Sequence, residues 1–264
     1  MDNWRGKWAL VTGASAGIGW AFAEQLAAGG THLVLTARRK ARLDELAAKL
    51  SSRHQVKVET YVADLALPGA PDAIYAYTQG KGIAVELLIN NAGFGAHGEF
   101  RKMALGRQLE MVQVNISAVL HLTHLFLPPM IERRSGDILI VASTAGFQGV
   151  PYISTYAATK GFDLLFAEGL AEEVRKYGVR VCALCPGSTA TEFHEVAQQT
   201  VSGSRIKESA EKVARVGLEA LAGGKSYVIS GLHNYFSTHS QRLVPRRIVN
   251  RMAGKIFQPK TSNS

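Results

Sequence analysis

Short apolar runs typical of β-strands alternate with longer stretches of helical apolar spacing along most of this 264-residue chain. The runs that predict strands cover residues 7–12, 32–36, 56–62, 85–90, 137–142, 179–184 and 226–230. The stretches that predict helices cover residues 18–28, 41–50, 70–79, 103–134, 154–177 and 210–222. Because a helix separates each strand from the next, consecutive strands have to pair in parallel.

This order predicts an α/β fold of the doubly wound, or Rossmann, type, in which a seven-stranded parallel sheet carries helices on both faces. Ligands of such folds bind at the carboxyl ends of the strands. A chain of this length with 47% hydrophobic residues is expected to form a single domain. We place its body at residues 1–232 and expect residues 233–264 to form a tail that does not fold independently.

Two features that mark other classes of protein have simpler interpretations here. The apolar stretch 112–131 is interrupted by Asn115, His121, His124, Pro128 and Pro129, which argues against a membrane span. Cys182 and Cys185 have the spacing of a redox or zinc pair, but strand residues three apart point to opposite faces, so we expect buried cysteines and no metal. The N-terminus does not resemble a secretory signal, which favours a cytoplasmic protein.

A glycine-rich turn follows the first predicted strand and precedes an amphipathic helix. It reads Thr12-Gly13-Ala14-Ser15-Ala16-Gly17-Ile18-Gly19. Glycines there let the strand turn sharply, let the backbone approach a pyrophosphate and let the helix pack closely on the sheet. The helix N-terminus offers free N–H groups and a partial positive charge to the phosphates. Taken alone, such a turn is a weak sign of nucleotide binding.

Further motifs occur in order: Asn90-Asn91-Ala92-Gly93, Asn115, Ser143, Tyr156-Ala-Ala-Thr-Lys160 and Pro186-Gly187. Together with the Gly-x3-Gly-x-Gly spacing of the first turn, they make nearly the whole chain resemble the short-chain dehydrogenase/reductase family. The resemblance implies hydride transfer between a nicotinamide dinucleotide and a carbonyl or secondary alcohol. It implies cofactor contacts from Gly13, Ser15, Gly17, Ile18, Gly19, Asn91, Ala92, Gly93, Tyr156 and Lys160, with Pro186, Gly187, Thr189 and Thr191 around the carboxamide.

The residues after the second predicted strand indicate which dinucleotide binds. The segment ends in Arg38 and Arg39 and lacks the acidic residue that holds the ribose 2′-hydroxyl of NAD. Arginine suits a 2′-phosphate, so we predict NADP(H), the alternative being that both arginines are solvated loop charges. The resemblance implies that Asp64 accepts a hydrogen bond from the adenine amine, with Leu65 packing beside it. A helix cap would also explain Asp64.

Tyr156 and Lys160 lie four positions apart on a predicted helix, so their side chains share one face. A phenol with a pKa near 10 is a poor acid or base at neutral pH, and lowering that pKa by about 3 units requires roughly 4 kcal/mol. An ammonium about 4 to 5 Å away supplies about this amount at an effective dielectric near 20. We therefore expect Lys160 to lower the pKa of Tyr156, which becomes the catalytic acid and base.

Two more residues complete the predicted catalytic set. Ser143 lies at the carboxyl end of the fifth predicted strand, where its hydroxyl can bind the substrate oxygen as charge develops. The resemblance implies that Asn115 bends its helix and holds a water that passes protons toward Lys160, which itself binds the nicotinamide ribose. A polar residue facing a helix partner also explains Asn115. The intact set argues against a nucleotide-binding sensor without turnover.

The expected pocket walls are mostly apolar or aromatic. They come from the loop that contains Phe94 and His97, from residues 144–153 and from the loop around Phe193, but a loop histidine such as His97 is more often solvated than in contact with substrate. This composition predicts a hydrophobic carbonyl substrate of lipid, acyl or steroid-like character. Because aromatic loops also occur simply as packing, a small polar ketone or a sugar alcohol is the alternative substrate.

The tail carries most of the net charge of +9, since six of the 30 basic residues and none of the 21 acidic residues follow residue 232. On a helical wheel, Arg247, Arg251 and Lys255 oppose an apolar side made of Ile248, Val249, Met252, Ala253, Ile256 and Phe257. Such a helix covers a pocket, packs on the core or another subunit, or lies on an anionic membrane. We expect no nucleic-acid partner, and we expect a homodimer or homotetramer through helices 103–134 and 154–177.

Overall fold

The computed structural model of the protein describes residues 2–190 and 207–259. Its strands are β1 (Trp8–Thr12), β2 (His32–Ala37), β3 (Val58–Val62), β4 (Val85–Asn90), β5 (Gly136–Val141), β6 (Val179–Cys185) and β7 (Tyr227–Ile229). They form a sheet in the order β3-β2-β1-β4-β5-β6-β7, and each neighbouring pair is parallel. The predicted doubly wound, seven-stranded parallel sheet is confirmed.

The helices of the described residues follow the predicted order. They are α1 (Gly17–Ala28), α2 (Lys40–His54), α3 (Ala70–Gly80), α4 (Leu105–Val112), α5 (Ala118–Glu132), α6 (Ser154–Val174), α7 (Ala210–Ala222), α8 (Leu232–Ser240) and α9 (Arg246–Phe257). The helix predicted over 103–134 is observed as one continuous helix over Leu105–Glu132 that changes its hydrogen-bond pattern in the middle. A π-helical segment, Gln113–Ser117, separates α4 from α5.

The sheet separates two apolar layers because alternate strand residues point to opposite faces. Helices α1, α2 and α7 cover one face, and α3, α4, α5 and α6 cover the other. Cys182 and Cys185 are free thiols that lie in different layers, as expected from their spacing along β6. Each cysteine therefore packs as a small apolar side chain within its own layer.

The stretch Leu105–Glu132 is apolar and long enough to cross a membrane by length and composition. Its side chains Leu122, Phe126 and Met130 are buried in the layer that covers the sheet. A core helix has the same composition as a membrane span, and this burial favours the core interpretation that the sequence suggested.

The carboxyl ends of four central strands meet at one edge of the sheet. In the register of β1, β4, β5 and β6, Val11 lies opposite Ile89, and Ile89 lies opposite Leu139. Val141 then pairs with Leu184. The turns that follow these strands are therefore neighbours in space although they are far apart in sequence.

The tail folds onto the body as α8 and α9, which are joined by a short 3-10 turn (Gln241–Leu243). Ala253 of α9 is buried against Val150, Ile153 and Ala157. Packing on the body is thus one role of the tail, while the boundary drawn at residue 232 stays a prediction.

Candidate active site

A cavity of about 640 Å³ lies at the carboxyl edge of the sheet. Most of the residues that the sequence singled out line it: Gly13, Ser15, Gly17, Ile18, Arg38, Arg39, Asp64, Leu65, Asn91, Ala92, Gly93, Ser143, Tyr156, Lys160, Pro186, Gly187 and Thr189. Gly19 and Asn115 stand behind the lining, against Gly13 and Phe94, and Thr191 lies outside the described residues. The structure thus brings the predicted cofactor and catalytic residues to one place.

The glycine turn between β1 and α1 is pressed against the turn that follows β4. Gly13 has a φ of +66°, and a Cβ at this position would lie 2.9 Å from the Cα of Ala92. A Cβ on Gly19 would overlap the carbonyl oxygen of Gly13. Only glycine fits at both positions. The turn therefore presents bare backbone to the cavity at the N-terminus of α1, where N–H groups attract anions.

Thr12, which the sequence did not single out as a functional residue, fastens these two turns together. Its Oγ1 accepts hydrogen bonds from the backbone N–H groups of Asn91 and Ala92, both at 2.9 Å. The Asn91 side-chain amide donates to the Thr12 carbonyl at 2.8 Å. A buried threonine directly before the glycine turn, at the end of a central strand, is the signal that could have identified it.

Two arginines at the end of β2 differ in how they are held. Arg39 donates from Nε to the Ser15 hydroxyl and from Nη2 to the Ser15 carbonyl, both at 3.1 Å, and so braces the glycine turn. The Arg38 side chain is 62% exposed, and its Nη1 lies 4.0 Å from Oε1 of Glu110. Arg38 therefore presents a largely solvated guanidinium beside the cavity.

Asp64 and Leu65 follow β3 and line the cavity. The Asp64 Oδ1 accepts a hydrogen bond from the N–H of Ala66 at 3.0 Å. The N-cap position of α3 is Gly69, so the helix-cap explanation of Asp64 does not hold. Among the described lining residues, Asp64 is the only carboxylate beside Arg38 and Arg39, and Glu110 approaches Arg38 from outside the lining.

Asn115 is fully buried in the π-helical segment, a feature frequent at functional sites. Its Oδ1 accepts from the Phe94 N–H at 3.1 Å, and its Nδ2 donates to the Phe94 carbonyl and the Thr159 hydroxyl, both at 3.0 Å. A Cβ on Gly93 would lie 3.1 Å from the Asn115 Oδ1 and 3.5 Å from the Lys160 Nζ. The amide thus joins the turn after β4 to α6, and the helix is irregular where the resemblance implied a bend.

Ser143 follows β5 and caps a short 3-10 helix, Thr144–Phe147. Its hydroxyl is hydrogen-bonded to the Tyr156 phenol. The 3-10 helix lies directly against α6, because a Cβ on Gly146 would lie 2.5 Å from the carbonyl oxygen of Lys160. This close backbone contact keeps Ser143 at a fixed distance from α6.

Lys160 lies one turn after Tyr156 on α6, and its side chain is buried. The Nζ donates to the Val141 carbonyl at 2.7 Å and to Oδ2 of Asp163 at 2.8 Å. Sequence reasoning missed Asp163, which is fully buried. An acidic residue three positions after the lysine, on the same face of a predicted helix, is the signal that could have found it.

The expected fall in the pKa of Tyr156 was wrong for this structure. Burial raises the pKa of the phenol, against the opposing effects of the Lys160 ammonium and the Ser143 hydrogen bond, and Asp163 raises it further. Two effects outweigh the lysine and raise the pKa of the phenol. A phenolate in a buried site loses its hydration, and the neighbouring Asp163 carboxylate offsets the charge of Lys160. Tyr156 therefore keeps its proton at neutral pH.

The segment after β6 closes the cavity next to Ser143. The Thr144 N–H donates to the Pro186 carbonyl at 3.0 Å, and the Thr189 hydroxyl donates to the Gly187 carbonyl at 3.2 Å. A Cβ on Gly187 would lie 2.5 Å from the side-chain amide of Asn234 in α8. The tail therefore packs directly on the segment that was expected to hold a carboxamide.

The tail also supplies part of the cavity wall, through His233, Asn234, Ser237, Ile256 and Phe257. His97 was expected in the pocket wall, but it is not among the described residues that line the cavity. Its Nε2 is instead hydrogen-bonded to the carbonyl of Phe257 at 2.7 Å, so that His97 holds the end of α9.

The other expected walls are partly in place. Phe94, Thr144, Ala145 and Ile153 line the cavity, whereas Phe193 lies outside the described residues. The described residues contain no group of three or more histidine, cysteine or acidic side chains placed to hold a metal ion. The phenol, hydroxyl and ammonium groups in this cavity can bind an oxygen atom of a ligand and donate a proton to it.

Both the sequence and the fold of this chain are similar to those of known proteins. A family model of the short chain dehydrogenase matches residues 7–202. The chain is 32% identical over 256 residues to the very-long-chain 3-oxoacyl-CoA reductase of Homo sapiens, an alignment that covers 94% of this chain and 80% of the relative.

Solved structures show the same similarity over almost the whole chain. A short-chain dehydrogenase from Sphingobium yanoikuyae in complex with NADPH superposes with a TM-score of 0.83 at 29% identity, covering 98% of this chain and 99% of that one. A 7β-hydroxysteroid dehydrogenase superposes with a TM-score of 0.86 at 26% identity, covering 95% and 98%.

Proposed function

This chain belongs to the short-chain dehydrogenase family, and from that premise we propose that it is an NADP(H)-dependent oxidoreductase for a hydrophobic carbonyl compound or secondary alcohol. The observation that carries the proposal is that Ser143, Tyr156 and Lys160 share one cavity with the glycine turn and Arg38. Such a cavity joins a dinucleotide site to a proton donor.

The residues present fit a dinucleotide that carries a 2′-phosphate. The bare backbone at the N-terminus of α1 suits a pyrophosphate, and the guanidinium groups of Arg38 and Arg39 suit the additional phosphate. The NADPH bound to the Sphingobium relative supports this choice. We assign the adenine to Asp64 and Leu65, the nicotinamide ribose to Tyr156 and Lys160, and the carboxamide to Pro186, Gly187, Thr189 and Thr191.

Replacing Arg38 with alanine tests the cofactor assignment. Loss of a charged hydrogen bond to phosphate is expected to lower the kcat/KM ratio of NADPH over NADH by about 10- to 100-fold. Lys40→Ala is the matched control, because Lys40 is exposed and pairs with Asp44 within α2. A wild-type protein that prefers NADH, or an Arg38→Ala variant with an unchanged ratio, would contradict the assignment.

A nicotinamide cofactor held in this cavity would supply the hydride for the carbonyl carbon. The Tyr156 phenol donates its proton to the carbonyl oxygen, and the Ser143 hydroxyl binds the same oxygen while negative charge develops on it. Lys160 stabilises the phenolate left on Tyr156.

The substrate side of the cavity is apolar. Phe94, Ile153, Ile256 and Phe257 line it, and apolar walls with few polar groups are typical of sites for hydrophobic ligands. The similar proteins include a very-long-chain 3-oxoacyl-CoA reductase and a 7β-hydroxysteroid dehydrogenase, which supports a substrate of lipid-like character.

A carbonyl panel scored by NADPH oxidation tests the substrate class directly. Burial of each additional CH₂ group against the apolar wall is worth about 0.8 kcal/mol, or about fourfold in kcat/KM, until the wall is filled. Long-chain 3-oxoacyl thioesters and steroid ketones are therefore expected to exceed short polar ketones by about 100-fold or more. Equal or better turnover of small polar ketones or ketoses would identify the alternative substrate class.

The exposed side of the tail also supports peripheral contact with an anionic lipid surface. In α9 the row Val249, Ala253 and Phe257 faces the body, which leaves Ile248, Met252 and Ile256 at 47%, 60% and 57% exposure. A second exposed row runs beside it and consists of Arg247, Arg251 and Lys255.

Adjacent apolar and basic rows match the interface of an anionic bilayer. A second copy of the chain packed face to face would bring like charges together, which disfavours self-association through this surface. Ile256 lies both in the exposed row and in the cavity wall, so lipid contact would bring the cavity mouth to the membrane. On this proposal the protein is cytoplasmic and binds membranes reversibly.

Sedimentation of the whole chain with vesicles tests this contact. Binding to phosphatidylglycerol vesicles should exceed binding to phosphatidylcholine vesicles, and Arg251→Ala should weaken it about fivefold. Met252→Glu should weaken it further, whereas Leu67→Glu, at a comparably exposed leucine in the body, should not. Absence of vesicle binding, or a dimer that Met252→Glu dissociates, would overturn the lipid proposal.

We also propose that the protein forms a homodimer or homotetramer. The helices that the sequence indicated as contact surfaces carry exposed leucines: Leu105, Leu109, Leu120 and Leu165. Apolar side chains exposed on neighbouring helices are typical of subunit interfaces.

A further inference from the structure

Lys160 shares its buried position with a carboxylate that the proposed chemistry does not use. The Nζ of Lys160 lies 2.8 Å from Oδ2 of Asp163, and both side chains are almost completely buried. An ammonium has three N–H donors, and the Val141 carbonyl takes a second one at 2.7 Å. Two of the three donors are thus committed to acceptors on β5 and α6.

A buried carboxylate at position 163 destabilises the fold unless it is paired with Lys160. Aspartate is a poor residue for a helix interior, and burial of a carboxylate is unfavourable without hydrogen bonds. Among the described residues, Oδ1 of Asp163 finds no hydrogen-bond partner, so the contact with Lys160 is what stabilises this carboxylate. The interaction of Asp163 with Lys160, and not the helix propensity of aspartate, therefore accounts for this residue in α6.

Few other ionisable groups face this pair. Tyr156 acts on it from α6, and Cys185 acts on it from the end of β6. Burial raises the pKa of the Cys185 thiol, which keeps it neutral, and Glu168 of α6 interacts with Cys185. The polar neighbours on the π-helical segment and α6, Asn115 and Thr159, carry no charge. Asp163 is thus the carboxylate in contact with the lysine.

Building on the proposed function, we propose that Asp163 is a positioning residue that keeps Lys160 protonated and directed at the Val141 carbonyl, one turn from Tyr156, across the working pH range. The two residues would then act as one unit: Lys160 stabilises the phenolate of Tyr156, and Asp163 keeps Lys160 charged and in position.

The direction of the pH effect follows from the causes at Lys160. Burial favours the neutral amine, but Asp163 and Tyr156 outweigh it, so that the pKa of Lys160 is raised. A lysine with a raised pKa keeps its proton below that pKa and loses it only as the pH rises through it. Without the carboxylate, burial prevails and the amine loses its proton at a lower pH.

Asp163→Asn is the informative variant because it keeps the shape and an acceptor oxygen but removes the charge. We expect its kcat/KM for carbonyl reduction to fall at least tenfold between about pH 6 and about pH 9, with the wild type flat over that range. Glu172→Gln, at an exposed carboxylate of the same helix, should behave as the wild type. Asp163→Glu restores the charge and should restore the flat profile at a reduced kcat.

An NMR titration of ¹⁵N-labelled lysine provides a readout apart from turnover, with Lys160 assigned by its absence in Lys160→Met. Wild-type Lys160 should hold its proton beyond the ordinary lysine value near 10.4, whereas Asp163→Asn should release it earlier. Should Asp163→Asn fail to fold, the wild-type titration decides, and a proton lost below the ordinary value would overturn the proposal. An unchanged Asp163→Asn profile would overturn it too. A wild type that reduces no carbonyl would refute the proposed function, while the titration would still report on the pair.

Discussion

The candidate active site depends on the buried ammonium of Lys160. Its hydrogen bond to the Val141 carbonyl joins α6 to the end of β5, and its contact with Asp163 lies within α6. A buried charge is strongly unfavourable unless it is paired and hydrogen-bonded, so the lysine fixes the relative position of these two elements. Gly93, in the turn after β4, approaches the same group: a Cβ there would lie 3.5 Å from the Lys160 Nζ and would crowd the Asn115 Oδ1 at 3.1 Å. Three elements thus converge on one cation.

One side-chain hydroxyl and one close approach of backbone atoms position the rest of the site. The Thr12 hydroxyl joins β1 to the turn after β4, and Gly146 allows the loop that carries Ser143 to lie on α6. Parallel pairing places these turns along one edge, because the carboxyl ends of β1, β4, β5 and β6 are neighbours. The proposed proton donor, dinucleotide site and apolar wall therefore follow from one topology, with the tail closing the cavity through Phe257.

The strands, the doubly wound sheet and the placement of most site residues could be predicted, because apolar periodicity and ordered motifs are local signals. Properties set by contacts between distant elements could not. The hydrogen bond of His97 to Phe257 joins a loop to a tail 160 residues away. The pKa of Tyr156 depends on burial and on Asp163, neither of which is visible in the spacing of tyrosine and lysine. The apolar side of α9 divides into a packed row and an exposed row, and this division could not be predicted without knowing the surface on which the helix packs.

The central claim is that the Tyr156 phenol delivers the proton to the substrate oxygen. The most direct measurement is the single-turnover rate of NADPH oxidation by Tyr156→Phe with the best carbonyl of the panel, at saturating cofactor. Tyr152→Phe, in the turn that precedes α6 and outside the cavity lining among the described residues, is the matched control. The account predicts a rate lower by about 10²- to 10⁴-fold for Tyr156→Phe and an unchanged rate for the control. A Tyr156→Phe rate within about twofold of the wild type would contradict it.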